Sequence, residues 1–251
     1  MTFAKTVPLI LALSAALWPA AARAERPTRH PCVTATRAAA DGPLRRTVCG
    51  TGAAAVWLFD GGREASQDPR FAFGWRDAEG LPAFDDDEAI PEAPETVLVR
   101  RADGATVAVF GAHAWRTATM HANHAFFEPV WSKHRRWLWV GGSERYFADS
   151  IDVVHFSPDG DRVAVGRLRD AVIGPIERDF ATRGIVGDFG PTLPESLRID
   201  DDGRVTAEVH FWARVTGGPD RIYDVAFRLA ETRGAVVVTG LTFRWRGAAP
   251  E

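Results

Sequence analysis

Val154-His155-Phe156-Ser157-Pro158-Asp159-Gly160-Asp161-Arg162-Val163-Ala164-Val165 is the stretch on which the reading of the fold turns. Two short runs of β-branched and aromatic residues flank a polar turn. Asp-Gly supplies the positive φ that a tight hairpin needs, so the stretch predicts two antiparallel strands. The same device recurs outward from it. Thr96 to Arg101 and Thr106 to Phe110 flank Ala102-Asp103-Gly104-Ala105. Leu197 to Ile199 and Val205 to Val215 flank Asp200-Asp201-Asp202-Gly203. Val225 to Leu229 and Ala235 to Thr239 flank a turn ending in Arg233-Gly234. A fifth hairpin joins Val130-Trp131 to Trp137 to Val140 through Ser132-Lys133-His134-Arg135-Arg136. Helical periodicity is almost absent. The stretch from Asp170 to Glu195 reads as a long loop, or as two short strands around Ile173 and Ile185. The expectation is an all-β fold of antiparallel hairpin meanders, with residues 25–251 as one domain.

The frame His155-Phe156-Ser157-Pro158-Asp159-Gly160 resembles the repeat core of Tol-type and WD40-like β-propellers, where such a turn joins two strands of a blade. Pro129-Val130-Trp131-Ser132 with Trp137-Leu138-Trp139-Val140 is similar to the same frame, with Lys133-His134-Arg135 replacing Pro-Asp-Gly. The resemblance covers residues 129–166 and implies a propeller-like arrangement. The two cores lie closer together than one 40–45-residue blade requires. The strands Val205 to Val215 and Ala235 to Trp245 are long for blades. A β-sandwich or open barrel is therefore the alternative architecture.

The chain has 251 residues, 30 Lys plus Arg, 33 Asp plus Glu and a formal net charge of −3. That balance does not predict a nucleic-acid partner. Residues 1–24 read as a signal peptide: Lys5, an apolar run from Val7 to Ala22, and a small-x-small site at Ala22-Arg23-Ala24. Cleavage there removes two bases and leaves 227 residues with net charge −5. No later run is long enough for a membrane span. The expected location is the periplasm, or outside the cell. In that oxidising setting Cys32 and Cys49 are expected to form a disulfide.

The stretch from Gly80 to Glu95, with three prolines and Asp85-Asp86-Asp87-Glu88, reads as a solvated loop, not a calcium loop. No G-x-S-x-G, P-loop, H-E-x-x-H or Rossmann glycine pattern is present, and no cofactor is expected. His113, His121 and His124 are the candidate metal ligands. On an extended strand, however, positions three apart face opposite ways. Asp149, Asp152, Glu177 and Asp179 are among the many carboxylates that supply candidates for a glycosidase pair. The sharper group is the fifth hairpin. Trp137 and Trp139 share a strand face, Trp131 sits across from Trp137, and Lys133, His134, Arg135 and Arg136 occupy the tip. Such a tip suits an acidic or aromatic partner through cation–π and bidentate contacts, and flat Trp faces suit sugars. The leading expectation is a periplasmic, non-catalytic binding protein (an inhibitor, an immunity protein or an envelope-assembly component) with a protein partner or a glycan. A secreted hydrolase of glycans or peptidoglycan and a histidine-based metal-binding module are the alternatives.

Overall fold

The computed structural model describes residues 32–37, 44–51, 54–58, 66–76, 95–110, 125–144, 147–160, 162–213 and 219–248. Residues 1–24, Asp85 to Glu88, and His113, His121 and His124 lie outside the described residues.

The strands form two antiparallel layers. The first is a six-stranded meander: β1 (Val33–Arg37), β2 (Leu44–Cys49), β3 (Val56–Leu58), β4 (Phe71–Arg76), β5 (Glu95–Arg100) and β6 (Thr106–Val109), in chain order across the sheet. Cys32 and Cys49 are joined by a disulfide that ties the first strand pair, where Val33 stands opposite Val48. Cross-linking residues 17 apart stabilises by about 3 kcal/mol in the chain-entropy model.

The second layer has nine strands. These are β7 (Ala125–Trp131), β8 (Trp137–Glu144), β9 (Phe147–Phe156), β10 (Val163–Arg167), β11 (Phe189–Pro191), β12 (Glu195–Ile199), β13 (Arg204–Ala213), β14 (Arg221–Thr232) and β15 (Ala235–Ala248). Their order is β11-β13-β14-β15-β10-β9-β8-β7, with β12 also on β13. All pairs are antiparallel except β10 with β15, which meet in parallel at Val165 and Ala235. Gly166 permits that junction: a Cβ there would lie 2.5 Å from the Val236 carbonyl oxygen. The sheet curls until β12 lies beside β7, but no ladder joins these two among the described residues.

The hairpins expected at 102–105, 132–136, 157–160, 200–203 and 233–234 are all present. Gly104, Gly160, Gly203 and Gly234 each have φ between 70° and 82°. The two propeller-like frames are not in successive blades. They form β7-β8 and β9-β10, side by side in one meander. The turn chemistry is shared with propellers; the assembly of hairpins is not.

The stretch after Asp170 departs from expectation. Residues Arg169–Ala181 form a helix, α1. Val172, Ile173 and Ile176 share its inward face and are fully buried. At about 2 kcal/mol each, their burial stabilises by roughly 6 kcal/mol. That offsets the hydrogen bond lost at Pro175 inside the helix. Arg169 pairs with Glu177 at 2.8 Å along the flank. Ile185 lies in the segment after the helix, which is not a strand.

The curled sheet wraps its concave face around this helix. Trp137, Trp139, Val153, Val209, Tyr223, Phe227 and the helix residues make one core. The convex face of β8–β10 packs on the first layer through Leu138, Val140, Val154 and Phe156 against Phe71, Phe73 and Leu98. Strand β9 is therefore buried on both faces over Ile151 to Val154. At the end of α1, the Tyr223 hydroxyl donates to Asp179 at 2.7 Å and accepts from Arg183 Nε at 2.9 Å. The Arg183 guanidinium lies 4.5 Å above the Trp245 ring. Burial, then the Asp179 carboxylate, pushes the Tyr223 pKa up to about 12. Among the described residues, no helix is long and apolar enough to cross a membrane.

Candidate functional site

The 132–136 tip is built from its backbone outward. Ser132 N–H donates to the Trp137 carbonyl at 2.9 Å and closes the hairpin. The Ser132 hydroxyl accepts from the amides of Arg136 and Trp137, each at 3.1 Å. Arg135 takes a left-handed conformation, φ 58°, held by its amide on the Ser132 carbonyl at 2.9 Å. A second turn then pins the first. Asp201, from the β12–β13 connection, accepts from Ser132 Oγ at 2.7 Å and from the His134 amide at 2.8 Å. Its other oxygen meets His134 Nδ1 at 2.5 Å, and its carbonyl accepts Trp137 Nε1 at 3.2 Å. Partial burial raises the Asp201 pKa, but the donors from Ser132 and His134 outweigh it and hold the carboxyl below the usual range. Lys133, His134, Arg135 and Arg136 remain exposed on this fixed loop.

Nearby, buried Asp68 pairs with Arg70 at 2.8 Å. Desolvation raises the Asp68 pKa, but the hydrogen bonds and charge of Arg70, with a smaller contribution from Arg135, outweigh it and hold the carboxyl below the usual range. The Arg136 carbonyl accepts the Phe156 amide at 2.9 Å, so the tip also rests on β9.

The three rings named with the tip lie beneath it. Trp137 and Trp139 do share a face, but that face is the helix-side core, at 4% and 2% exposure. Trp137 lies over His155, with centroids 4.2 Å apart. Trp131 points the opposite way, into the core between the layers, stacked on Phe156 at 5.4 Å. It stands opposite Leu138; Ser132 is the residue facing Trp137. One residue of register moves a side chain to the other face. The rings buttress the tip, and its exposed surface is cationic and polar.

The carboxylates drawn from the sequence are not gathered together. Glu177 is bound to Arg169, and Asp179 to Arg183 and Tyr223, on different sides of the helix end. Asp152 is buried in β9 and Asp149 is exposed. Among the described residues no group of three or more His, Cys, Asp or Glu side chains is arranged to hold a metal.

A second concavity has no local sequence signature. Where β7 and β12 approach, the unjoined seam holds a cleft of about 730 Å³. Val130, Leu193, Leu197 and Trp212 supply apolar wall, and Glu128, Ser143 and Glu195 supply polar groups. Leu193 packs on the bare backbone of Gly141, where a Cβ would lie 3.0 Å from Leu193 Cδ2. Ser196 lines the same wall in a left-handed conformation, φ 50°, beside an irregularity in the β12 register. The lining comes from four separated parts of the chain, so only tertiary structure assembles it.

No protein-family model matches the chain, no curated protein matches it, and no solved structure matches it.

Proposed function

We propose that the chain is a non-catalytic binding protein of the cell envelope, exported by its leader to the periplasm, that docks an acidic protein partner on the 132–136 tip. The observation that carries this reading is the pinned loop. Ordering a flexible basic loop on binding costs about 0.5–1.5 kcal/mol per long side chain, and a backbone already held by Ser132 and Asp201 adds no further ordering cost. Arg135 and Arg136 offer planar donor forks suited to carboxylates, and Lys133 adds a point charge. A partner bound this way associates faster at low salt.

The test is capture of partners from periplasmic extract on the immobilised chain, with the bound set identified at low and high salt. The double variant Arg135→Ala/Arg136→Ala is expected to lose the salt-sensitive partner while keeping the wild-type melting temperature. Recovery of the same partner, undiminished, by that variant removes the reading.

A second reading, a hydrolase of glycans, is favoured by one observation: Glu128 and Glu195 line the same cleft as Trp212. Release of reducing sugar from peptidoglycan, abolished by Glu128→Gln or Glu195→Gln, would replace the first reading with this one.

A further inference from the structure

We propose that the seam cleft is a second binding site, separate from the cationic face of the tip, for an organic ammonium: a cationic amine carried on an apolar body.

The charge of the lining points to a cation. Glu128 and Glu195 are the charged groups that line it, and both are acidic. Among the described residues neither is paired with Lys or Arg; Glu195 has only the His210 ring, at 3.8 Å. A hydroxyl open to the cavity points to a ligand as well. Ser143 is 4% exposed, lines the cleft, and its hydroxyl has no hydrogen-bond partner among the described residues. An ammonium has three donors and no acceptor, which matches two carboxylates and a hydroxyl oxygen.

The remaining wall selects the body. Val130, Leu193, Leu197 and Trp212 offer apolar surface, and an indole face also attracts cations. The volume falls in the range of small-molecule sites, roughly 300–1,000 Å³.

Strand addition is disfavoured as an alternative occupancy. Ser132 N–H points to β8, so by alternation the amides of Val130 and Glu128 do too. The positions facing the open edge of β7 are then 127, 129 and 131. The middle one is Pro129, which has no N–H to donate. An extended peptide meets a gap in the ladder where it would need a bond. The ligand is held by side chains.

Isothermal titration of the full mature chain with octylammonium, octanoate and octanol tests the site. These share one body and differ in charge. Octylammonium is expected to bind saturably at one site, and the other two at least about tenfold more weakly, as the loss of a charge-assisted hydrogen bond implies. Glu128→Gln/Glu195→Gln is expected to weaken octylammonium by about tenfold or more without altering octanol. Equal binding of octanol and octylammonium, no binding of octylammonium, or wild-type affinity in the double variant overturns the proposal. If the double variant does not fold, the comparison of the three probes on the wild-type chain decides alone. Arg135→Ala/Arg136→Ala leaves octylammonium binding intact, so failure here and failure of the tip reading are separate results.

Discussion

Asp201 serves four donors in another hairpin: its carboxylate takes Ser132 Oγ, His134 Nδ1 and the His134 amide, and its backbone carbonyl takes the Trp137 indole N–H. Its side chain is about a quarter exposed, so the effect is moderate. Asp201→Asn is expected to lower stability by about 1–2 kcal/mol, read as a shift of the urea midpoint at pH 7. The sign with pH follows from the lowered pKa. A carboxyl depressed in the folded state stabilises above its unfolded pKa, and that contribution is lost as pH falls through the folded value. The gap between wild type and variant is therefore full above about pH 5 and closes in acid. Tyr223 gives the opposite limb. Its phenol is held up to about 12 in the fold against 10.0 in the free residue. Between these values the unfolded chain releases a proton that the folded chain keeps, so stability declines as pH rises above 10. Tyr223→Phe is expected to flatten that alkaline decline, measured by urea midpoints at pH 9 to 11.

Elements differ in how openly the sequence states them. The Asp-Gly and Arg-Gly turns were legible because positive φ is a local demand that glycine meets wherever it falls. Helix α1 was not, because Gly174-Pro175 reads as a breaker while the signal against it is tertiary: Val172, Ile173 and Ile176 find a concave sheet to fill. Strands β8 and β9 were legible as strands but not by face. Trp137-Leu138-Trp139-Val140 has no polar side, since one side meets the helix and the other the first layer. An exposed Trp pair and a buried one are written identically there. The cleft was illegible for a different reason: Glu128, Ser143, Glu195 and Trp212 carry no common spacing. Ile173→Ala tests the helix. A cavity at a fully buried isoleucine is expected to cost about 2–5 kcal/mol, with loss of near-ultraviolet circular dichroism from Trp137 and Trp139 before loss of the first layer.

At the scale of the molecule, strands β8–β10 form a wall between the first layer and helix α1. The disulfide acts on the outer layer alone, at its far edge from β6. Reduction, or Cys32→Ala/Cys49→Ala, is expected to remove up to about 3 kcal/mol from the β1–β2 pair. Amide exchange should quicken there first and leave β13 to β15 protected.

The Asp201 contacts fasten the end of β7 to the turn that follows β12, and those strands are the two jaws of the seam. A sheet curled almost shut and fastened at one tip behaves as a spring clip: the pinned end holds its width and the far end gapes. Cutting the pin with Asp201→Asn should loosen the grip on any cleft ligand although the substituted residue lies outside the cleft, and a filled cleft should slow exchange at the His134 and Trp137 amides by the same coupling.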